Sequence, residues 1–81
     1  MDKHLYTADQ QALLGLLREL RHEAGLRQQD LADRLGEPQS FVSKIETGER
    51  RLDVLELRRV CQALGVTLAR FVVLLERRLS P

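Results

Sequence analysis

The sequence is poor in the residues that build disulfides, metal centres and membrane spans. Its 81 residues include one cysteine, Cys61, and two histidines, His4 and His22. One thiol excludes an internal disulfide and a zinc site built from several thiolates. No apolar run approaches the roughly 18 residues of a membrane span, and the N-terminus lacks the apolar core of a signal peptide. We therefore expect a cytoplasmic chain with no metal site and no cofactor.

Aromatic residues are also scarce, at 4% of the chain, and threonine, valine and isoleucine are sparse. The core must therefore be built mainly from leucine, which favours helices over strands. With 43% hydrophobic residues, 31% charged residues, five glycines and two prolines, the chain is too apolar and too poor in breakers to be disordered. We predict one small all-α domain over residues 1–81, too small for a large enzyme pocket.

The net charge is only +1, and the isoelectric point near 8.0 lies below the value above about 9 that marks an obvious nucleic-acid-binding domain. Arginine nevertheless supplies 11 of the 13 basic residues, and its planar fork suits bidentate contacts to phosphates and bases. Charge alone leaves nucleic-acid binding open.

Capping residues, glycine stops and apolar spacing predict five helices. Helix 1 is expected over about residues 8–24, helix 2 over 28–35, helix 3 between Pro38 and Gly48, helix 4 between Asp53 and Gly65, and helix 5 over about 67–79. Thr7 with Gln10, and Asp53 with Glu56, have the spacing of capping boxes. Residues 1–6 are interpreted as a short arm and residues 80–81 as a tail.

Apolar spacing also predicts which helix faces are buried. In helix 1 the predicted core stripe is Leu13, Leu17, Leu20 and Ala24. In helix 4 it is Leu57, Val60, Cys61 and Leu64, and in helix 5 it is Leu68, Phe71, Val72, Leu75 and Leu79. This pattern leaves Val73 and Leu74 of helix 5 without an evident intramolecular use.

Helices 2 and 3 fit the geometry of a helix-turn-helix, in which the second helix can lie in the major groove of DNA. The close crossing requires a small residue, supplied by Ala32, and the turn requires Gly36. The inner faces require apolar side chains, supplied by Leu31, Leu35, Val42 and Ile45. A helical hairpin packed for stability alone would not need all six in this register.

The chain resembles the phage-repressor/Cro type of helix-turn-helix regulator, the lambda-repressor-like or XRE family. The resemblance spans about residues 13–75 and is carried by residues 17–32 (LRELRHEAGLRQQDLA), 43–51 (SKIETGERR) and 63–66 (ALGV). It implies a five-helix, lambda-repressor-like DNA-binding domain with the helix-turn-helix in helices 2 and 3, at about residues 28–47.

The resemblance places four polar side chains on the DNA-facing surface of helix 3: Gln39, Ser40, Ser43 and Lys44. Their chemistry suits base contacts, since Gln pairs bidentately with adenine and Lys reaches guanine or a phosphate. The alternative is that they are ordinary solvated residues. Phe41 either touches a thymine methyl or packs against the turn, and we favour packing.

The resemblance also implies contacts to DNA phosphates from Gln28, Arg21, Arg50 and Arg51, and an internal ion pair between Arg21 and Glu46. The alternatives are that Gln28 is an ordinary helix-start residue and that Arg50 and Arg51 belong to a solvated loop.

Three residues depart from the family pattern. Arg27 stands where a Thr or Ser N-cap is common, Glu37 replaces an apolar turn residue, and Pro38 replaces a Ser cap. A cation at a helix N-terminus is electrostatically unfavourable. The departures bear on where helices 2 and 3 begin and on the reach of Gln39.

We predict a non-enzymatic, sequence-specific transcriptional regulator of bacterial or phage origin, associated with the nucleoid. Its simplest mode is repression, as a homodimer on a palindromic operator. The predicted dimer contact lies on helix 5, at Arg70, Val73, Leu74 and Arg77. Cys61 is interpreted as a buried structural thiol. The alternative is a protein-interaction module, such as an antitoxin whose main partner is a toxin.

Overall fold

The computed structural model describes residues 7–79, and within them every regular element is an α-helix. The helices are α1 Ala8–Glu23, α2 Gln28–Leu35, α3 Gln39–Thr47, α4 Val54–Leu64 and α5 Leu68–Leu79. This confirms the predicted all-α fold of five helices. The predicted arm and tail fall on residues 1–6 and 80–81, outside the described range.

Three helices begin at a side chain that accepts a hydrogen bond from a backbone N–H three residues later, as N-caps do. The bonds are Gln10 N to Thr7 Oγ1 (3.1 Å), Glu56 N to Asp53 Oδ1 (2.7 Å) and Arg70 N to Thr67 Oγ1 (3.0 Å). At α4 the Glu56 carboxylate returns a bond to Asp53 N at 3.0 Å, which completes the predicted capping box.

The helices enclose one core. Helix α2 packs against α3 and α4, while α1 packs against α3 and α5 and α4 also meets α5. The core side chains come from every helix, and Phe71 of α5 is completely buried among them. The other buried members from α2 to α4 are Leu31, Ala32, Leu35, Val42, Ile45, Val60, Cys61 and Leu64.

The turn between α2 and α3 has the predicted construction. Ala32 is 0% exposed, so a larger side chain would push the two helices apart. Gly36 has φ +68°, in the left-handed region where other residues are strained. Its N–H bonds Asp33 O at 3.2 Å and Glu37 N bonds Ala32 O at 3.0 Å, which ends α2 in the manner of a Schellman motif. Pro38 is the N-cap of α3, one residue before the helix begins.

The predicted stripe of α1 was too narrow. Leu17 and Leu20 are buried as expected, but so are Leu14 and Leu16, whereas Leu13 is only partly buried. Ala24 is exposed and lies just beyond the helix. The reason is that α1 is covered by two neighbours, α3 and α5, so its apolar face is wider than one row of side chains.

The buried face of α5 is rotated about the helix axis relative to the face that the sequence predicted. Leu74, for which the sequence suggested no intramolecular use, is partly buried and packs against the core. Val72, predicted to be in the core, is 44% exposed, as is Val73. The ion pair between Arg78 and Glu19 of α1, with Nη2 to Oε1 at 2.9 Å, is consistent with this orientation because it draws the Leu74 side of α5 toward α1.

Two arginines tie the helix-turn-helix to α4 by binding backbone carbonyls. Arg59 Nη2 of α4 donates to Leu35 O, the last residue of α2, at 2.7 Å, and Arg34 Nη1 of α2 donates to Ala63 O near the end of α4 at 2.9 Å. Each satisfies a carbonyl that a helix end leaves without an intrahelical partner. The helix-turn-helix is thereby held at a fixed angle to the rest of the domain.

Cys61 lies on the inner face of α4 and is 0% exposed. Burial raises the pKa of its thiol to about 11, so the reactive thiolate is scarce at neutral pH. These observations support its interpretation as a structural residue.

Candidate nucleic-acid interface

The outer face of α3 carries the polar side chains that the sequence singled out. Gln39, Ser40 and Lys44 are exposed, and Ser43 is partly exposed. They lie opposite Val42 and Ile45, which are 2% and 4% exposed and fix the helix to the core. All four predicted base-contacting residues therefore share one solvent-facing surface.

Arg21 of α1 and Glu46 of α3 form the predicted ion pair. Arg21 Nε and Nη2 donate to the two carboxylate oxygens of Glu46 at 2.6 and 3.0 Å, and the residues are 8% and 5% exposed. Arg21 Nη1 also donates to Leu26 O at 2.8 Å. Because a bidentate pair fixes both distance and orientation, it sets the end of α3 against α1.

This geometry bears on the predicted phosphate contact of Arg21. Its Nε, Nη1 and Nη2 atoms all bind groups within the domain, and only 10% of the side chain is exposed. The guanidinium therefore acts mainly inside the protein. A phosphate contact from Arg21 stays a prediction and receives no support from this arrangement.

Gln28 and Gln39 extend the buried pair to the surface. Gln28 Nε2 at the start of α2 donates to Glu46 Oε1 at 3.0 Å, and Gln39 Nε2 at the start of α3 donates to Gln28 Oε1 at 2.6 Å. A chain of hydrogen bonds therefore runs from the buried carboxylate through a partly buried amide to an exposed one.

The Glu46 carboxylate determines which amide atoms donate and which accept in this chain of hydrogen bonds. An ionised carboxylate only accepts hydrogen bonds, so Gln28 must present its NH₂ group to Glu46 and its oxygen to Gln39. Gln39 must then turn its NH₂ group toward Gln28. Gln39 is exposed, and its second N–H and its amide oxygen make no further hydrogen bond among residues 7–79.

Arg50, a predicted phosphate contact, is engaged within the loop between α3 and α4. Its Nη2 donates to Glu56 Oε2 at 2.7 Å, its Nη1 donates to Arg51 O at 2.9 Å, and the guanidinium carbon lies 4.7 Å from the centre of the Phe41 ring. The hydrogen bond with Glu56 raises the pKa of Arg50 and lowers that of Glu56. The phosphate contact of Arg50 stays a prediction, while its visible role is to shape the loop.

Phe41 itself is partly buried and packs against the core, which supports packing over a thymine contact. Arg51, next in the loop, is exposed. Arg51 belongs to the segment that directly follows α3, a position that suits a contact to the DNA backbone.

Arg27 is neutralised at the start of α2. The Asp30 carboxylate accepts Arg27 Nε and Nη2 at 3.0 and 2.9 Å and also Arg27 N at 2.8 Å. The Arg27 side-chain bonds, followed by its backbone bond, lower the pKa of Asp30 from 3.8 to about 2. Arg27 provides no side-chain cap, but Asp30 removes the electrostatic penalty of a cation at the helix start.

Sequence reasoning missed the link between Gln28 and Gln39. It treated one as a phosphate contact and the other as a base contact, although both are amides at the first positions of adjacent helices. That shared position was the available signal, although whether the two side chains meet depends on how α2 and α3 cross. The hydrogen bonds of Arg34 and Arg59 to backbone carbonyls across α2 and α4 had no comparable signal in the sequence.

The described part of the chain has neither a metal-binding cluster nor a membrane-spanning helix. Between residues 7 and 79 no three His, Cys, Asp or Glu side chains are grouped so as to hold a metal ion. No helix in that range has the length and apolarity required to cross a bilayer.

Five helices with a tightly turned α2–α3 pair and a polar outer face on α3 define a helix-turn-helix DNA-binding domain. The helix-turn-helix family model HTH_3 matches residues 17–71, so the chain belongs to this family of XRE/Cro/C1-type DNA-binding domains. The family comprises transcriptional regulators rather than enzymes, which confirms the prediction that the chain is not a catalyst.

Two solved structures are similar over most of their length. An XRE-family like protein from Pseudomonas syringae pv. tomato str. DC3000 is 48% identical, with a TM-score of 0.85 over 98% of this chain and 95% of that one. The crystal structure of the clp gene regulator ClgR from C. glutamicum is 26% identical, with a TM-score of 0.75 over 86% of this chain and 91% of that one.

A curated relative is the uncharacterized HTH-type transcriptional regulator y4dJ of Sinorhizobium fredii (strain NBRC 101917 / NGR234). It is 42% identical over 48 residues, which make up 59% of this chain and 62% of the relative. The match thus spans less than two thirds of that protein.

Proposed function

We propose that this protein is a sequence-specific repressor that binds a palindromic operator as a homodimer and acts by occupying a promoter in the bacterial cytoplasm. The observation that carries the proposal is the hydrogen-bond chain from Glu46 through Gln28 to Gln39, which holds a base-reading group on the exposed face of α3.

Adenine is the base that fits the free groups of Gln39. In the major groove adenine presents the N6 donor beside the N7 acceptor. The amide oxygen and second N–H of Gln39 form the complementary pair, and their order is fixed before DNA arrives. Ser40, Ser43 and Lys44 share the same face of α3, and we assign them contacts to neighbouring bases.

Phosphate contacts position such a domain on the duplex without reading its sequence. We assign one to the exposed side chain of Arg51 and one to the start of α2, where the free N–H groups of the helix favour an anion. The side chain of Gln28 is held by Glu46 and Gln39, so its contribution there comes from the backbone.

A homodimer follows from the size of the domain. One recognition helix contacts too little DNA for tight and selective binding, and two half-sites about 34 Å apart are the usual solution. The sequence placed the dimer contact at Arg70, Val73, Leu74 and Arg77 of α5. Since Leu74 packs inward, the apolar part of that surface is reduced to Val73 and its neighbour Val72.

The test is a comparison of Gln39→Ala with Arg51→Ala on a DNA site recovered by selection from a random pool. Gln39→Ala should cost about 1–3 kcal/mol on the selected site and relax the preference at one base. Arg51→Ala should weaken binding to all sequences alike and reduce the salt slope by about one.

Equal losses by both variants on selected and random DNA would show that α3 does not read bases. The protein-interaction alternative, including an antitoxin with a toxin partner, stays a prediction. It would gain support if the intact chain bound no duplex at low salt in a mobility-shift assay against its own promoter.

A further inference from the structure

The loop between α3 and α4 carries two adjacent arginines, and the family resemblance implies a phosphate contact for each. Arg51 is exposed, but Arg50 is only partly exposed, and its guanidinium carbon lies over the Phe41 ring, 4.7 Å from the ring centre. A guanidinium is attracted to the face of an aromatic ring. One face of the Arg50 guanidinium is therefore covered by a residue of α3.

Negative charge surrounds the Arg50 guanidinium. Its Nη2 donates to Glu56 Oε2 at 2.7 Å, and this bond is the main reason that the pKa of Arg50 is raised. The charges of Glu37 and Asp53 act in the same direction. A DNA phosphate would have to compete with these carboxylates, so Arg50 is poorly placed to add to DNA affinity through its own charge.

Arg50 instead fixes the backbone of residues 50–51 at both ends. Its N–H donates to Lys44 O in α3 at 3.1 Å, and its Nη1 donates to Arg51 O at 2.9 Å. The peptide group before Arg50 and the one after Arg51 are thus both held. Because the backbone sets the direction of the Cα–Cβ bond, the side chain of Arg51 leaves the loop in a defined direction.

Glu56 is held in turn by the start of α4. Its Oε1 accepts Asp53 N at 3.0 Å, while its own N–H donates to Asp53 Oδ1 at 2.7 Å. One carboxylate oxygen therefore serves the helix cap and the other binds Arg50. Through Arg50, the cap of α4 is joined to the Phe41 side of α3.

We infer that Phe41, Arg50 and Glu56, here called the loop clamp, hold Arg51 in place for its phosphate contact, and that Arg50 does not bind DNA itself. Arg50 and Glu56 are then positioning residues. The inference rests on the phosphate contact of Arg51 in the proposed function. It gives an acidic residue a role in favour of DNA binding, although loss of a negative charge ordinarily strengthens binding to DNA.

Glu56→Gln tests this reversal of sign. Glutamine also serves at the third position of a capping box, so its oxygen can still accept Asp53 N, but the charged acceptor of Arg50 is lost. We expect weaker binding, and a slope of log affinity against log salt that is smaller by about one because a phosphate contact is lost. Had Arg50 been a phosphate contact, its release from Glu56 would strengthen binding.

Glu19→Gln is the matched control. It removes the same charge from a carboxylate that also binds an arginine, Arg78, but this pair joins α1 to α5 and lies outside the loop. It should leave the salt slope of DNA binding unchanged. Unchanged helical circular dichroism shows that both variants are folded.

Substitutions of the arginines separate positioning from direct contact. Lysine at position 50 keeps the charge, but a single ammonium cannot reproduce the planar fork that reaches both Glu56 and Arg51 O. Arg50→Lys should therefore lower the salt slope by about one, as Arg51→Ala does. The double variant Arg50→Ala with Arg51→Ala should also lose only about one, because both changes remove the same phosphate contact.

Amide hydrogen exchange gives a readout without DNA. The N–H of Arg50 is bonded to Lys44 O, and exchange at this position reports local opening of the loop. Glu56→Gln and Arg50→Lys should both accelerate it and leave exchange in the core of the domain unchanged. Glu19→Gln should not affect it.

The inference is overturned if Glu56→Gln strengthens binding or keeps the salt slope, if Arg50→Lys keeps the slope, or if the double variant loses about two. It also falls if Arg51→Ala leaves the slope unchanged, or if neither clamp variant accelerates exchange at Arg50. Failure of the proposed function looks different. The unmodified chain would then prefer no DNA sequence, while the salt slopes on random DNA would still test the loop clamp, because a phosphate contact carries no sequence information.

Discussion

The buried pair of Arg21 and Glu46 supports a quantitative prediction about stability. The two residues are 8% and 5% exposed and are joined by two hydrogen bonds. Exposed pairs contribute about 0–1 kcal/mol, whereas removal of one partner from a buried pair costs about 3–5 kcal/mol because the other charge is left unpaired. We expect Arg21→Met and Glu46→Leu each to lose an amount in the latter range.

The double variant should lose much less than the sum of the two single losses. It removes both charges and leaves no buried ion without a partner, and apolar replacement of a whole buried pair is often close to neutral. The remaining cost comes from Leu26 O, which loses its hydrogen bond from Arg21, and from the Gln28 amide, which loses its acceptor on Glu46. The coupling between the two substitutions should therefore be about 2 kcal/mol or more.

Urea unfolding at low temperature, followed by helical circular dichroism, is the suitable assay. A domain of this size has a total stability of only about 4–12 kcal/mol, so single variants need conditions in which they remain folded. The exposed pair of Arg78 and Glu19 is the matched control and should show almost no coupling. Strictly additive losses for Arg21 and Glu46 would refute the reasoning, since the buried charges would then not depend on each other.

Three further outcomes follow from single contacts. Gly15→Ala should stabilise the fold by about 0.5–1 kcal/mol in thermal unfolding, since Gly15 lies inside α1 and a Cβ there would meet no atom within 4 Å. A lower melting temperature for this variant would contradict the prediction. Asp30→Asn should lower the melting temperature at neutral pH but not below about pH 2. The lowered pKa of the Asp30 carboxyl gives stability that is fully present above the ordinary value of 3.8 and is lost as the pH falls toward 2. An equal loss at both pH values would count against the Arg27 contact. In the binding selection described above, Gln28→Met should relax the base preference that Gln39 reads and leave binding to random DNA nearly unchanged. Unchanged selectivity would mean that the hydrogen-bond chain does not position Gln39.

The sequence alone determined the helices and the central motif, because these depend on local chemistry. Side-chain caps, glycine stops and the 3.6-residue spacing of leucines act within a few residues of the chain. The bounds of α2, the turn at Gly36 and the small residue at Ala32 were accordingly predicted as the structure has them. The pair of Arg21 and Glu46 was anticipated from the family resemblance rather than from the residues themselves.

Only the tertiary structure decided which faces the helices bury and which polar groups meet. Burial of an α5 residue depends on where α1 and α4 lie beside it, so Leu74 turned inward and Val72 outward. The bond between Gln28 and Gln39 depends on the crossing of α2 and α3, and the exposure of Leu55 depends on the direction in which α4 leaves the loop. Periodicity shows that a helix has two faces, but a face is buried only when another element covers it, and that is settled by the packing of the whole chain.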